Sequence, residues 1–191
     1  LGAIVEAFDT RPAVKEQVES LGAKFLALDM EAHDAEDAGG YAKAQSEEFY
    51  RKEQELIHTH AKKSDIIITT ALIPGKKAPI LITEPMVRDM NGGSIIIDLA
   101  AEAGGNCALT EAGKDVNADG VIIKGPVNLP ATMPYHASQM YARNLFNLLT
   151  LLVKDKELHL DFEDEIIKGT CITHDGAITN DAVKQFVNQS A

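Results

Sequence analysis

A chain of 191 residues, 45% hydrophobic and 25% charged, has the size and composition of one ordinary soluble α/β domain with room for a smaller appendage. Its formal net charge of −11 opposes a phosphate backbone and an anionic membrane surface, which sets aside nucleic acid and surface adsorption as functions. Cys107 and Cys171 lack CxxC spacing and read as reduced thiols, and the longest apolar run, Leu145–Val153, is too short to span a bilayer.

The chain opens at Leu1 in mid-pattern, with no signal peptide, and so reads as a piece of a longer polypeptide. Ala3 to Phe8 has the pattern of a strand ending at Asp9. Thr10 and Arg11 make a turn, and Pro12 suits the first turn of a helix that carries Val14, Val18 and Leu21 on one face and stops at Gly22. Phe25 to Leu28 is a second short strand, so the order is that of a parallel βαβ unit. Asp9 then stands at the carboxyl end of a strand, ahead of a helix. Such an acid accepts hydrogen bonds from adenosine ribose hydroxyls and repels a 2′-phosphate, or it simply caps the helix; the residues alone leave both open. No GxGxxG precedes this strand, and the glycine pairs 92–93 and 104–105 lack the fingerprint spacing.

Asp29 to Ser46 is acidic, small and glycine-bearing. A connection this long is either a lid, with Gly39-Gly40 as hinge and Tyr41 as its closing face, or a solvated acidic loop. A charged helix, Glu47 to Lys63, carries His58 and His60, whose two-residue spacing turns them different ways and gives no metal site. Next comes Ser64-Asp65-Ile66-Ile67-Ile68-Thr69-Thr70-Ala71-Leu72, whose apolar run without alternation predicts a strand buried on both faces. Pro74-Gly75 breaks the chain. Ligands of open α/β sheets collect at carboxyl strand ends, so Thr70, Ala71 and Leu72 lie where a flat cofactor would rest; a plain small-residue turn is the other reading.

Thr83 caps a short helix through Met90, and Asn91-Gly92-Gly93 turns the chain into a buried strand, Ser94–Ile97, that ends at Asp98. Asp98 either braces backbone amides of the next loop or approaches a ligand. Gly120–Ile123 reads as the last strand of the sheet, Pro126, Pro130 and Pro134 mark a loop, and His136–Val153 is a helix. Lys168–Ile178 reads as strand pieces about an Asp175-Gly176 turn, and the tail to Ala191 has no clear pattern.

Taken together, Asp9-Thr10-Arg11-Pro12, Gly39-Gly40-Tyr41-Ala42-Lys43, Thr69-Thr70-Ala71-Leu72-Ile73-Pro74-Gly75 and Ile97-Asp98-Leu99-Ala100 through Gly104-Gly105-Asn106 resemble the NAD(H)-binding alpha subunit of proton-translocating NAD(P) transhydrogenase. The resemblance runs from Leu1 to about Thr179. Alanine dehydrogenase is the nearest relative in fold, but Asn128-Leu129-Pro130-Ala131-Thr132-Met133-Pro134-Tyr135 resembles the transhydrogenase version.

The resemblance implies a doubly wound, Rossmann-like parallel sheet whose first strand and glycine-rich loop are absent from this chain. It sets residues 1–135 as the NAD(H)-binding domain and 136–191 as a linking helix with a fragment of a second domain. It implies NAD as cofactor, with Asp9, Thr10 and Arg11 at the adenosine end, Gly40 and Tyr41 in a mobile loop, and Thr70, Ala71 and Leu72 lining the bed. The partners it implies are an NADP(H)-binding component, a membrane component at the cytoplasmic face of the inner membrane, and a second copy in a homodimer. It implies neither nucleic-acid binding nor membrane insertion of this chain. Gln45 stands where the family carries methionine. Hydride transfer is cofactor chemistry, so no side chain is given the role of general acid or base. An alanine dehydrogenase-like oxidoreductase and a non-catalytic assembly fragment are the alternatives.

Overall fold

The computed structural model describes residues 2–28, 46–73 and 75–190. These divide into two compact units, Leu1–Val127 and Asn128–Ala191.

In the first unit, β1 (Glu6–Ala7) and β2 (Lys24–Phe25) pair in parallel around α1 (Val14–Ser20), as the βαβ pattern requires. Both strands are shorter than their apolar patterns predict. The helix buries no residue; Leu21, assigned to its packed face, is 88% exposed. Next, α2 (Glu47–Ala61) begins where the Ser46 hydroxyl accepts a hydrogen bond from the Phe49 amide at 3.2 Å. Glu47 and Glu48 complement the helix dipole in its first turn, and the helix buries Phe49, Glu53 and Ala61.

The central sheet holds β3 (Ile66–Thr69), β4 (Ile95–Asp98), β5 (Asp115–Ala118) and β6 (Val121–Lys124) in the order β3-β4-β6-β5. The first three neighbours run parallel, with Thr69 opposite Asp98 and Ile96 opposite Ile123. The fourth, β5, is an antiparallel edge that the sequence reading overlooked. Its signal was present: Asp119 and Gly120 both take positive φ (52° and 90°), the two-residue Asp-Gly turn that suits a hairpin.

One face of this sheet carries the core. Ile96, Val121 and Ile123 pack there with Ile82, Met86, Val87, Met90 and Cys107, of which Met86 and Val87 come from α3 (Glu84–Arg88). Each such side chain contributes about 1.5–3 kcal/mol when fully buried. The reverse face is far barer. Ile66 and Ile68 are each 61% exposed, which corrects the expectation of a strand buried on both sides. The isoleucine run hides the period because both faces are apolar, while α3 and its flanking loops cover only one.

The second unit starts with α4 (Pro134–Leu152), where Pro134 fills a first-turn position that needs no amide hydrogen. Two small hairpins follow: β7 (Val153–Lys154) with β8 (Glu157–Leu158), and β9 (Thr173–His174) with β10 (Ala177–Ile178). The second closes on Asp175-Gly176, the turn read from the sequence. Between the hairpins lies α5 (Glu165–Thr170), capped by Asp164, where strand pieces were expected from Lys168. The chain's patternless tail is helical, α6 (Asp181–Ser190).

Candidate functional site

The carboxyl ends of β3 and β4 meet in a buried polar network centred on Asp98. This carboxylate is fully buried and accepts four hydrogen bonds: Oδ1 from the Ala100 amide (3.1 Å), and Oδ2 from the Asn106 amide (2.7 Å), the Cys107 amide (2.9 Å) and the Thr110 hydroxyl (2.6 Å). The loop from β4 folds back on the acid through Gly104 and Gly105, whose φ values of 100° and 80° are left-handed. A Cβ on Gly105 would lie 2.8 Å from Asp98 Oδ2 and 2.9 Å from Thr110 Cβ, so only glycine fits. Of the two roles left open for Asp98, the structure shows the brace.

Asn106 carries the network across to β3. It is fully buried. Its Oδ1 accepts from the Ala71 amide at 2.9 Å, and its Nδ2 donates to the carbonyls of Ala71 (2.9 Å) and Pro79 (2.8 Å). The Leu99 amide donates to the Thr69 carbonyl at 2.9 Å. The segment after β3 is therefore no loose turn. Its unengaged surface falls on Thr70, which is exposed, and Leu72, 47% exposed. Thr69 Oγ1 is the one buried side-chain oxygen among the described residues without a hydrogen-bond partner.

A second polar cluster lies just beyond β1. Asp9 Oδ1 accepts from the amide and Nε of Arg11, both at 2.9 Å, and Oδ2 accepts from an Arg11 terminal nitrogen at 2.8 Å. Burial pushes the Asp9 carboxyl up, but the Arg11 hydrogen bonds and charge outweigh it and hold the group below the ordinary value of 3.8. Asp9 makes no cap for α1, which starts five residues later without a side-chain cap. With two bonds on Oδ1 and one on Oδ2, the carboxylate keeps lone-pair capacity on Oδ2 for one further donor such as a ribose hydroxyl.

The predicted residues therefore fall into separate groups. Ala71 is joined through Asn106 to Asp98, while Thr70 and Leu72 on either side of it are exposed. Asp9 and Arg11 are paired with each other, with Thr10 half-buried between them. Gly40 and Tyr41 lie outside the described residues, as do Gly39 and Gln45. Asn106 and Thr110 were given no role from sequence; the polar residue directly after Gly104-Gly105 was the available signal. The strand ends thus present an acid with spare acceptor capacity at Asp9, an exposed leucine at Leu72 and a buried hydroxyl without a hydrogen-bond partner at Thr69.

Comparison with known proteins shows the family. The family described as alanine dehydrogenase/PNT, C-terminal domain, matches residues 1–181. An NAD(P) transhydrogenase subunit alpha polypeptide from Rhodospirillum rubrum is 56% identical over 186 residues, 96% of this chain and 48% of that protein. Alanine dehydrogenase 1 of Staphylococcus aureus (strain Mu50) is 33% identical over 124 residues, 62% of this chain and 33% of its own length. Among solved structures, the crystal structure of transhydrogenase from Sinorhizobium meliloti superposes with a TM-score of 0.75 at 44% identity, covering 93% of this chain and 46% of that one. The chain thus spans about half the length of the curated relatives that it matches most fully.

Proposed function

We propose, for a chain that belongs to the alanine dehydrogenase/PNT C-terminal-domain family, that it forms the NAD(H)-binding portion of a proton-translocating NAD(P) transhydrogenase. The observation that carries this reading is the Asn106 bridge, which holds Ala71 at the carboxyl end of the parallel β3–β4 pair, where open α/β sheets take their ligands. The similarity to a transhydrogenase alpha subunit runs along nearly the whole chain at 56% identity, against 33% over a shorter stretch for an alanine dehydrogenase.

Bound NAD(H) would supply the hydride chemistry. The protein's role is to bind, orient and keep water away. In this reading Asp9 takes ribose hydroxyls at the adenosine end and opposes a 2′-phosphate. Arg11 holds that carboxylate ionised and, with Thr10, shapes the turn around it. Thr70 and Leu72 face the nucleotide while Ala71 anchors them from behind. Gly40 and Tyr41, by the family resemblance, belong to the loop that covers it. An NADP(H)-binding component takes the hydride, and a membrane component couples the transfer to proton movement at the cytoplasmic face of the inner membrane. The subunit works as a homodimer. No helix among the described residues is long and apolar enough to cross a membrane.

The test is a pair of assays on the full-length polypeptide with its partner components. NADH titrated by fluorescence should bind in preference to NADPH, and hydride should pass to an NADP analogue. NADH-dependent amination of pyruvate with no transfer to the analogue would instead make the protein an alanine dehydrogenase. Failure to bind NADH would sink both readings.

A further inference from the structure

We propose that Asn106 is a positioning residue: its carboxamide presets the backbone of Ala71, and through it the Thr70–Leu72 bed, before any nucleotide arrives. The proposal rests on the NAD(H) reading of the site and adds a residue that does not itself touch the ligand.

The chemistry at this point admits only an amide. The Ala71 amide is accepted, and the Ala71 and Pro79 carbonyls each receive a donor, from one fully buried side chain, with Ala71 itself half-buried. A carboxamide offers one acceptor oxygen and two N–H donors on a rigid plane, which matches the demand atom for atom. Its orientation is fixed by the same contacts, because exchanging Oδ1 and Nδ2 would set an oxygen against two carbonyl oxygens. A carboxylate would do the same and bury a charge; an aliphatic side chain would take this partner from all three backbone groups.

The bridge closes a loop. Ala71 opens the 71–79 segment and Pro79 ends it, so the two hydrogens of Nδ2 pin both ends to one atom. Asn106 is itself immobilised from behind. Its amide donates to Asp98 Oδ2 at 2.7 Å, and its carbonyl accepts from the Leu81 and Ile82 amides at 2.8 and 2.9 Å. The side chain is thus a fixed post, and it engages both the amide and the carbonyl of Ala71. Ligand-facing work is left to Thr70 and Leu72. Hydride transfer depends steeply on placement, with a misplacement of about 1 Å able to cost roughly a hundredfold in rate.

The experiment uses the full-length polypeptide with its partner components. Amide hydrogen exchange of the wild-type protein without NADH should already show Ala71 protected, with NADH adding less than about twofold at Ala71 while Thr70 or Leu72 gains more. In Asn106→Ala the Ala71 amide should exchange at least about tenfold faster, while the Ala100 amide, held by Asp98, keeps its protection. Hydride transfer at saturating NADH should fall about ten- to a hundredfold, and NADH affinity only about threefold. If wild-type Ala71 exchanged freely and became protected only on adding NADH, the preset bed would be refuted. The proposal would equally fail if Asn106→Ala freed the Ala71 amide yet transferred hydride at the normal rate. Should Asn106→Ala not fold, the wild-type exchange comparison decides alone. A wild-type protein that binds no NADH would overturn the functional reading instead, and a preset Ala71 would then remain as a property of the fold.

Discussion

Asp98 and Asp9 both stand at the carboxyl end of a parallel strand, yet they are held in opposite ways. Asp98 is fully buried, and three backbone amides and a hydroxyl surround it. Asp9 has a quarter of its side chain in solvent and leans on one arginine two residues away. From sequence the two acids look alike, as each ends an apolar run and precedes a turn. Their surroundings divide the work. The first is spent on holding a loop in shape, and the second keeps capacity for a ligand. A strand-end acid therefore signals a ligand contact only when the loop behind it does not fold back to consume its lone pairs.

The comparison predicts a large difference in stability. Asp98→Ala would leave the amides of Ala100, Asn106 and Cys107 and the Thr110 hydroxyl unpaired in the interior, and should cost about 3–5 kcal/mol. Arg11→Ala breaks a pair with 36% and 26% exposed side chains, and should cost under about 1 kcal/mol. Urea unfolding of both variants measures the two numbers. Equal losses would mean that the depth of the two acids is not what separates them.

Discrimination between the two nucleotides should show the reverse order. Asp9→Ala removes the proposed ribose acceptor and leaves Arg11 without that carboxylate partner. Preference for NADH over NADPH should then shrink about tenfold, or 1.4 kcal/mol, in fluorescence titrations of the full-length protein. Its unfolding midpoint should barely move. Unchanged affinities for both nucleotides would remove Asp9 from the binding site.

Much of this was legible in the chain. Asp9, Thr70, Ala71 and Leu72 could be placed at strand ends because each strand is a short apolar run stopped by polar or small residues. Thr83 marked a helix start through known capping chemistry, whereas Pro134, read as loop, is the first residue of α4. What stayed hidden depends on residues distant in sequence. Asn106 lies 35 positions beyond Ala71, and nothing in either segment announces that one will bond the other. The open face of β3 was hidden for a different reason. Ile66, Ile67 and Ile68 read as doubly buried, but burial depends on which face α3 covers. The β5 edge strand was a missed turn signal rather than a missing one, since Asp119-Gly120 stands in plain view.

Glu53 offers a third kind of acid. It sits on a helix face, is 6% exposed, and burial alone pushes its carboxyl above the ordinary 4.5. A raised carboxyl holds its proton longer in the folded chain than in the unfolded one. Stability from this group is therefore intact below pH 4.5 and declines as pH rises from there through the folded value. Glu53→Gln should raise the urea midpoint at pH 7 and have little effect at pH 4. A variant less stable than wild type at pH 7 would show that the ionised carboxylate has a partner that outweighs its burial.

The smallest effect belongs to Asp9 and has the opposite sign. Its folded carboxyl is held below 3.8, so the unfolded chain binds the proton first as pH falls. The stabilisation from the Arg11 pair is fully present above pH 3.8 and is lost as pH drops through the folded value. An NMR titration of the Asp9 carboxyl carbon should give a midpoint below 3.8 in the wild type. In Arg11→Ala it should move upward, because burial still opposes ionisation while the guanidinium that overcame it is gone. The same midpoint in both proteins would mean that the Arg11 backbone amide, which the substitution keeps, holds the carboxylate by itself. In that event Arg11 would have no electrostatic role in keeping Asp9 charged for a ribose, and the side chain's place in the site would have to rest on shape.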